Sequence, residues 1–355
     1  MSNIRFMPID TRLEAGAFLT RLAYRGDDPK SGGMRASAER YSRKYGVPID
    51  EFAGLIEAYE SIEARFVCDE KELLILFGVC NGLENSVYDE FTMMERALGK
   101  ERAKSLDLRV AILTAGDDGE PNYDNAGFSD LLACAQQLPV SDEARWLFTD
   151  ACVRYGEYRA RIDALLDQAE ALVRENLGLL QPYADAALRD FSGDPTGEAL
   201  FSHLAEAGLR LDCAIADVFP FIFQFSSIAL FSNFVTAAHF GDPEQTFIAY
   251  GCMIDRINAC SETGRDAAES MLGLLHALDD KRRLEILTAL KNRPLCGQDL
   301  AALTGLSAAT ISHHMNELAS TGLVGIEKQG VKLFYHLKAE RFGDLCELLQ
   351  KGFLE

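Results

Sequence analysis

The 355-residue chain is 48% hydrophobic and 25% charged, the balance of a globular protein, and this composition excludes wholesale disorder. Its start has no apolar signal core, and its longest apolar run, residues 218–234, is interrupted by proline, serine and amide side chains. A membrane span needs about 20 apolar residues, so we expect a soluble, cytoplasmic protein with no membrane partner.

The net charge of −20 argues against a nucleic-acid partner, since phosphate binding usually requires a basic face. The acidic residues are, however, unevenly distributed. Residues 265–355 carry 11 Lys and Arg against 12 Asp and Glu, a net charge of −1, whereas residues 1–264 carry 24 against 43, a net charge of −19. The composition therefore leaves room for a nucleic-acid site only in the last part of the chain.

The first part of the chain is predicted to be mostly helical, because apolar side chains recur there at intervals of three and four residues. Helices are predicted over residues 50–66, 70–84, 128–138 and 142–178. Gly, Pro and Asp cluster between them, which predicts loops over residues 25–33, 115–127 and 192–197.

A small sheet is predicted after these helices. Phenylalanine recurs at every second position from Phe219 to Phe225, and the neighbouring segments are also rich in β-forming residues. Two or three strands near residues 218–231 and 246–252 are therefore expected to pack on the helices. A buried helix is the alternative, because short apolar runs do not distinguish the two structures.

Three further amphipathic helices are predicted over residues 267–278, 281–290 and 297–303. Gly305 suits the left-handed residue that closes the third of them, and Leu306 is placed to fill the core. Ser307 suits the N-cap of a fourth helix, residues 308–321. Two short helices joined by a tight glycine turn indicate a helix-turn-helix.

The fourth helix has two contrasting faces. Ile311, Met315 and Leu318 form an apolar stripe at helical spacing. The opposite face carries small and hydrogen-bonding side chains, which suit a helix that enters the major groove. The alternative, a solvated surface, is more often filled with Lys and Glu. The residues predicted to contact DNA here are Ser307, Ala309, Thr310, Ser312, His313 and Asn316.

A β-hairpin is predicted directly after this helix. Residues 323–327 alternate as a strand, residues 328–330 provide a turn, and residues 331–337 form the return strand. Lys328 and Lys332, at or beside the turn, are predicted to contact the sugar-phosphate backbone. The hairpin is therefore interpreted as the wing of a winged helix.

The polar residues 258–265 are the predicted linker between two domains. The expected fold class is mainly α with small β elements (α+β). A helical N-terminal domain, residues 1–262, carries the short sheet of two or three strands. A C-terminal winged helix-turn-helix occupies residues 266–355.

Residues 274–337 resemble the ArsR family of bacterial winged-helix regulators, over roughly the last quarter of the chain. The similarity follows five motifs in family order: D-x-x-R-x-x-I-L from Asp280, D-L-A-x-x-x-G-L-S from Asp299, T-x-S-H-H-x-x-x-L from Thr310, G-L-V from Gly322 and G-x-x-x-x-Y-x-L from Gly330. The resemblance implies a homodimer that binds a double-stranded DNA operator with two-fold symmetry, most often as a repressor released by an effector. It also implies that the first and last helices of the domain, about residues 267–278 and 339–353, form the dimer contacts.

Some members of the family sense metals through two cysteines placed just before the helix-turn-helix. Cys296 stands at the first of these positions, but Gln298 occupies the second, and one thiolate cannot form the multi-sulfur site that soft metals need. Residues 339–355 contain no histidine for the family's other common metal site, and the adjacent His313 and His314 cannot share one metal on a helix. No metal site and no cofactor are predicted, and a metal-responsive regulator is kept as an alternative.

The N-terminal domain is hypothesised to sense a small-molecule effector or to organise the dimer. Seven aromatic residues are candidates to line an apolar pocket, with a packed core as the alternative: Phe219, Phe221, Phe223, Phe225, Phe231, Phe234 and Tyr250. The common hydrolase, metalloprotease, P-loop and dinucleotide motifs are absent, so no catalytic residues are predicted. A winged helix that contacts proteins, without DNA, is the remaining alternative.

Overall fold

A computed structural model describes most of the chain. The described residues are 3–23, 33–69, 71–77, 87–113, 126–137, 140–194, 196–206, 209–211, 213, 215–233, 237, 240–264, 267–306, 308–329 and 332–353. They form two compact units. The first lies within Met1–Thr114, Pro121–Thr196 and Cys213–Thr263, and the second contains Gly197–Asp212 and Gly264–Glu355.

Helices account for most of the described residues, and the expected class of mainly α with small β elements is confirmed. The α-helices are α1 (Thr11–Ala23), α2 (Met34–Tyr45), α3 (Ala53–Arg65), α4 (Val87–Leu98), α5 (Leu106–Leu113), α6 (Phe128–Gln137), α7 (Asp142–Val153), α8 (Tyr155–Glu175), α9 (Leu177–Ala187), α10 (Glu198–Glu206), α11 (Ile254–Gly264), α12 (Ala267–Leu278), α13 (Lys281–Leu290), α14 (Gly297–Thr304), α15 (Ala308–Ser320) and α16 (Glu340–Phe353). Short 3-10 helices span Ile49–Phe52, Lys71–Phe77 and Arg102–Lys104. The strands are β1 (Asn3–Phe6), β2 (Leu209–Leu211), β3 (Ile215–Phe221), β4 (Ile228–Ser232), β5 (Thr246–Gly251), β6 (Leu295–Cys296), β7 (Val324–Gln329) and β8 (Lys332–Leu337).

The helices predicted in the first unit are found close to their predicted bounds. The segment 142–178 is divided by turns at Arg154 and Asn176 into α7, α8 and the start of α9. The segment 70–84 is a 3-10 helix over Lys71–Phe77, and its remainder lies outside the described residues. Most of the predicted loops 25–33 and 115–127 also lies outside them.

The sheet of the first unit has four strands in the order β1-β3-β5-β4. β3, β4 and β5 are the strands predicted near residues 218–231 and 246–252, and β1, from the start of the chain, is an additional strand that was not predicted. β3 pairs in parallel with both β1 and β5, and β4 pairs antiparallel with β5. The strand predicted over residues 219–225 was wrong in its second half, because β3 ends at Phe221. The Glu14 carboxyl group accepts the amide N–H groups of Ile222 (2.7 Å) and Phe223 (2.9 Å), so the backbone leaves the sheet there.

The aromatic residues that follow β3 belong to the core of the first unit. The Phe223 ring lies 6.4 Å from the Phe18 ring and 5.8 Å from the Tyr59 ring, between their centroids. The Phe225 ring contacts Tyr41 and Phe52 in the same way, at 5.0 and 5.4 Å. Edge-to-face contacts at these distances are typical of packed aromatic cores, the role that was the alternative to a pocket. Phe234 lies outside the described residues, and the side chain of Phe231 is not described.

The predicted linker is helical. Residues 258–264 form the end of α11, whose buried Ile257 and Cys260 are one turn apart, and residues 265–266 lie outside the described part. The polar composition of this segment suggested a loop, but two buried anchors at helical spacing are enough to hold a helix.

The second unit contains α10, β2 and all elements from α12 to α16. Its sheet has the order β2-β7-β8-β6, with β7 and β8 forming the antiparallel wing. β2 comes from the segment before residue 213, yet it pairs in parallel with β7, with Leu209 opposite Ile326 and Leu211 opposite Lys328. The wing therefore gains a strand from a part of the chain that the sequence had assigned to the N-terminal domain.

Candidate nucleic-acid interface

The first two helices of the winged helix are joined by the D-x-x-R motif. The Asp280 carboxylate caps α13 by accepting the amides of Arg282 (2.7 Å) and Arg283 (3.0 Å), and these hydrogen bonds lower the pKa of Asp280. Arg283 is buried, and its guanidinium donates to the carbonyls of His276 (2.7 Å) and Ala277 (2.6 Å) at the end of α12. The motif thus caps one helix and closes the other.

The helix-turn-helix itself is formed by α14 and α15. At the start of α14 the Cys296 sulfur accepts the amide of Asp299, while the Asp299 carboxylate accepts the amide of Cys296 at 3.4 Å. At its end Gly305 adopts the predicted left-handed conformation (φ 68°) and donates to the carbonyl of Ala301. Ser307, the predicted cap of α15, lies outside the described residues.

The predicted apolar stripe of α15 is buried. Ile311, Met315 and Leu318 are at most 1% exposed and pack in one core with residues of α13, α14 and the wing. Leu306, which was predicted to fill the core, packs partly buried against the same cluster. This core fixes which face of α15 is left for a partner, because a helix presents one continuous stripe to its core.

The predicted DNA-contacting positions of α15 fall on the described helix. Asn316 is exposed and Thr310 is half-buried, and positions 309, 312 and 316 follow one another at helical spacing. The side chains of Ala309, Ser312 and His313 are not described. His314 is buried and close enough to Asp280 to help lower the pKa of that carboxyl, in keeping with a structural role.

The wing extends further than its predicted turn. β7 continues to Gln329, which pairs with Lys332, so Lys328 lies within the strand and not in a turn over residues 328–330. The connection falls at residues 330–331, outside the described part. Lys328 and Lys332 each stand within two positions of this tip, although their side chains are not described.

A close contact on the wing explains one of its glycines. Gly325 pairs with His336, and a Cβ atom at Gly325 would lie 2.3 Å from Nε2 of the His336 ring. The buried Nδ1 of His336 has no hydrogen-bond partner among the described residues, and burial, with the charges of Arg210 and Lys338, lowers its pKa. The imidazole of His336 therefore packs directly over Gly325, where burial disfavours its charged form.

Arg210 is an exposed cation beside the wing that the sequence did not reveal. It lies in β2 and stands opposite Glu327 of β7. A strand of three residues is too short to show a recognisable periodicity, so β2 could be identified only from its pairing with β7.

The cysteine that matches half of the family's metal site is part of a helix cap. Cys296 is 2% exposed, and Gln298, at the position of the second cysteine, is exposed. Among the residues that the structure describes, no cluster of three or more His, Cys, Asp or Glu side chains is arranged to hold a metal ion. Within the same residues, no helix is long and apolar enough to cross a membrane.

Comparisons with known proteins find similarity to bacterial regulators. The family model for bacterial regulatory proteins of the arsR family matches residues 280–325. The cadmium resistance transcriptional regulatory protein CadC of Listeria innocua is 35% identical over 96 residues, which cover 26% of this chain and 81% of that protein. The arsenical resistance operon repressor of Staphylococcus aureus is 38% identical over 76 residues, 21% of this chain and 73% of that protein. The solved structure of HlyU from Vibrio cholerae, at 29% identity, covers 26% of this chain and 99% of its own, with a TM-score of 0.22.

Proposed function

The chain belongs to the arsR family of bacterial regulatory proteins, and from this premise we propose that it represses transcription by binding a two-fold symmetric DNA operator as a homodimer. The observation that carries the proposal is the geometry of α15. The apolar stripe of α15 is buried in the core, and Asn316 is exposed on the opposite face. The two-stranded wing follows directly after this helix in the chain. A helix and a β-ribbon placed in this order suit a major groove and the neighbouring phosphates.

We assign base contacts to α15 and backbone contacts to the wing. Thr310, Ser312, His313 and Asn316 have side chains that exchange hydrogen bonds with base edges or phosphates, and Ala309 leaves room for the close approach. Lys328 and Lys332 supply charge beside the wing tip. Since residues 265–355 have a net charge of only −1, attraction to DNA depends on these local cations and on helix ends.

The homodimer is supported by apolar side chains that the second unit leaves exposed. Leu272 is 61% exposed on α12, and Phe353 is 71% exposed on α16. α12 and α16 pack against each other within the chain, and they are the helices through which the family resemblance implies dimer contacts. Exposed leucine and phenylalanine on adjoining helices favour burial against a second copy.

Operator binding is tested by fluorescence anisotropy with DNA from upstream of the protein's own gene, at low and moderate salt. Asn316→Ala should weaken binding to the operator by about tenfold, or about 1.4 kcal/mol, and reduce discrimination against unrelated DNA. Lys328→Ala should weaken binding to all sequences alike and reduce the salt dependence. Lys44→Ala, which removes an exposed charge from α2 of the first unit, is the matched control and should change neither.

Two results would contradict the assignment. Unchanged operator affinity in both Asn316→Ala and Lys328→Ala would remove α15 and the wing as the DNA-contacting elements. The absence of any saturable, salt-sensitive complex would favour a winged helix that contacts proteins. Sedimentation of Leu272→Glu tests the dimer, since a buried glutamate at the interface should shift the protein to monomers.

We further propose that the first unit senses an effector and acts on DNA binding through the wing. What supports this is β2, a strand of the second unit that is paired with β7 along three residues and is separated in the chain from β3 of the first unit by residues 212–214 alone. A change in the position of β2 would move the wing strand that carries Lys328, because paired strands move together. Coupling then needs no contact between the effector and the DNA-binding helices.

This coupling is tested by weakening β2. The double substitution Leu209→Asp and Leu211→Asp should alter operator affinity although both residues precede the helices of the winged helix in the chain, and Leu209→Val with Leu211→Val, which keeps apolar strand-forming side chains, is the control. Operator affinity unchanged by the double substitution would refute the coupling. Release of the operator by Cd²⁺ or arsenite, in wild type but not in Cys296→Ser, would favour the metal-responsive alternative instead.

A further inference from the structure

A cationic cleft lies at the start of α8 in the first unit. It has a volume of about 410 Å³, and its walls are formed by Lys104, Arg109, Val153, Arg154, Tyr155, Gly156 and Glu157. Three of these seven residues are cations and one is an acid, although the first unit as a whole is strongly acidic. The cleft residues therefore carry a net positive charge within an otherwise acidic unit.

Arg109 is the buried cation of the cleft. Its side chain is 1% exposed, and its guanidinium donates to the carbonyls of Ala103 (2.6 Å) and Cys152 (2.6 Å). Its Nε has no hydrogen-bond partner, and its guanidinium forms no ion pair, within the part of the chain that the structure describes. The guanidinium carbon lies 4.5 Å from the centre of the Tyr155 ring, a cation–π contact that offsets part of the burial but supplies no counter-ion. Burial lowers its pKa. A buried charge without a counter-ion is costly, and an anion in the cleft would offset that cost.

The other cations of the cleft already have partners, and both are more exposed. Lys104 pairs with Glu101 at 2.8 Å on the surface. Arg154 pairs with Asp150 and with Glu157, the latter at 3.1 Å, so the one acid of the cleft is partly neutralised. These two side chains can therefore strengthen an anion site, but Arg109 is the one that lacks a counter-ion among the described residues.

The N-terminus of α8 opens into the same cleft. This helix has 21 residues, and no side chain described in the structure caps its start. The carbonyl of Arg154 accepts the amides of Glu157 and Tyr158, so Tyr155 and Gly156 carry the first amides, which have no partner within the helix. A Cβ atom at Gly156 would meet nothing within 4 Å, so there is open space next to these amides.

We propose that this cleft binds the phosphate group of a small molecule, held by Arg109 and the amides at the start of α8. Free helix amides, the positive end of the helix dipole and a guanidinium are the groups that bind phosphate in proteins. Resting on the proposed function, we assign this molecule as the effector of the first unit.

The binding site is tested with inorganic phosphate, titrated into the full-length protein by calorimetry, with acetate at matched ionic strength for comparison. Saturable phosphate binding, tighter than acetate binding, is expected. Gly156→Glu should weaken it by about tenfold, because a carboxylate then occupies the open space at the helix start. The substitution should fold, since Gly156 is exposed and an acid in a first turn favours the helix.

Gly178→Glu is the matched control. Gly178 is also exposed, is also the second residue of its helix, α9, and would also place a Cβ atom in open space. It lies outside the cleft, so phosphate affinity should not change. Arg109→Gln should abolish phosphate binding. If Arg109→Gln does not fold, the phosphate affinity of Gly156→Glu decides whether the cleft is the binding site.

The outcomes distinguish the phosphate site, its role as an effector site and operator binding. No phosphate binding by wild type, equal affinity in Gly156→Glu, or acetate binding as tight as phosphate would overturn the site. Phosphate binding that leaves operator affinity unchanged, in a protein that binds its operator, would overturn the effector role. Failure to bind any operator would refute the proposed function while phosphate binding still supported the cleft.

Discussion

The stability of the first unit should fall as the pH rises, because of Glu14. This residue of α1 is fully buried, and its carboxyl group accepts the amides of Ile222 and Phe223. Burial raises the pKa of Glu14 from 4.5 to about 8, although the two amide hydrogen bonds and the charge of Arg21 act in the opposite direction.

The size of the effect follows from proton linkage. Between pH 4.5 and about 8 the carboxyl is ionised in the unfolded chain and protonated in the folded one. Unfolding releases a proton in this range, so each pH unit lowers the free energy of unfolding by about 1.4 kcal/mol. The stabilisation is complete below pH 4.5 and is lost as the pH rises through about 8, a total of about 5 kcal/mol.

Urea denaturation of wild type and Glu14→Gln at several pH values measures this effect. Circular dichroism follows the unfolding, because most of the helices lie in the first unit, whereas the single tryptophan, Trp146, is 68% exposed and its fluorescence would change little. Relative to Glu14→Gln, wild type should lose about 3 kcal/mol over two pH units within this range. Glu14→Gln also loses one oxygen that accepts a hydrogen bond, which lowers its free energy of unfolding by an amount that does not depend on pH.

The control is Glu60→Gln, which removes a carboxylate from an exposed ion pair with Arg35 on the same unit. Its stability difference from wild type should stay nearly constant over the same pH values, because the Glu60 side chain is solvated. A constant difference between wild type and Glu14→Gln would show that Glu14 is ionised in the folded protein, and the reasoning would be refuted.

Three further predictions concern the winged helix, each measured by thermal unfolding. Gly325→Ala should cost about 1–3 kcal/mol, since its Cβ atom would lie 2.3 Å from Nε2 of His336, and adding His336→Ala should recover part of the loss. Arg283→Met should cost about 1–3 kcal/mol by leaving the carbonyls of His276 and Ala277 without their donor. Asp280→Ala should cost about 1 kcal/mol through loss of the cap on α13, and an unchanged melting temperature in any of the three would contradict its explanation.

The sequence alone determined the winged helix almost completely. The spacing of Ile311, Met315 and Leu318 predicts the buried side of α15, and Gly305 predicts the left-handed turn before it, both as found. These features are local. Helical periodicity and glycine chemistry act over a few neighbouring residues, so they can be recognised without knowledge of the rest of the fold.

Tertiary structure decided the features that depend on distant partners. β1 and β2 are strands of four and three residues, too short for a pattern, and they exist because β3 and β7 offer them edges. Phenylalanine at alternate positions predicted a strand to Phe225, but Glu14, more than 200 residues away, binds the backbone at Ile222 and ends it.

The same reason explains why the phosphate cleft was not predicted. Arg109 in α5 reaches the end of α7 and the start of α8 only after these helices have packed, and its missing counter-ion is a property of that packing. Burial and strand register depend on contacts between residues that are far apart in sequence, so no local sequence pattern predicts them. The DNA-binding fold could thus be predicted from the order of residues, whereas the extra strand of its wing and the cleft of the first unit required the folded chain.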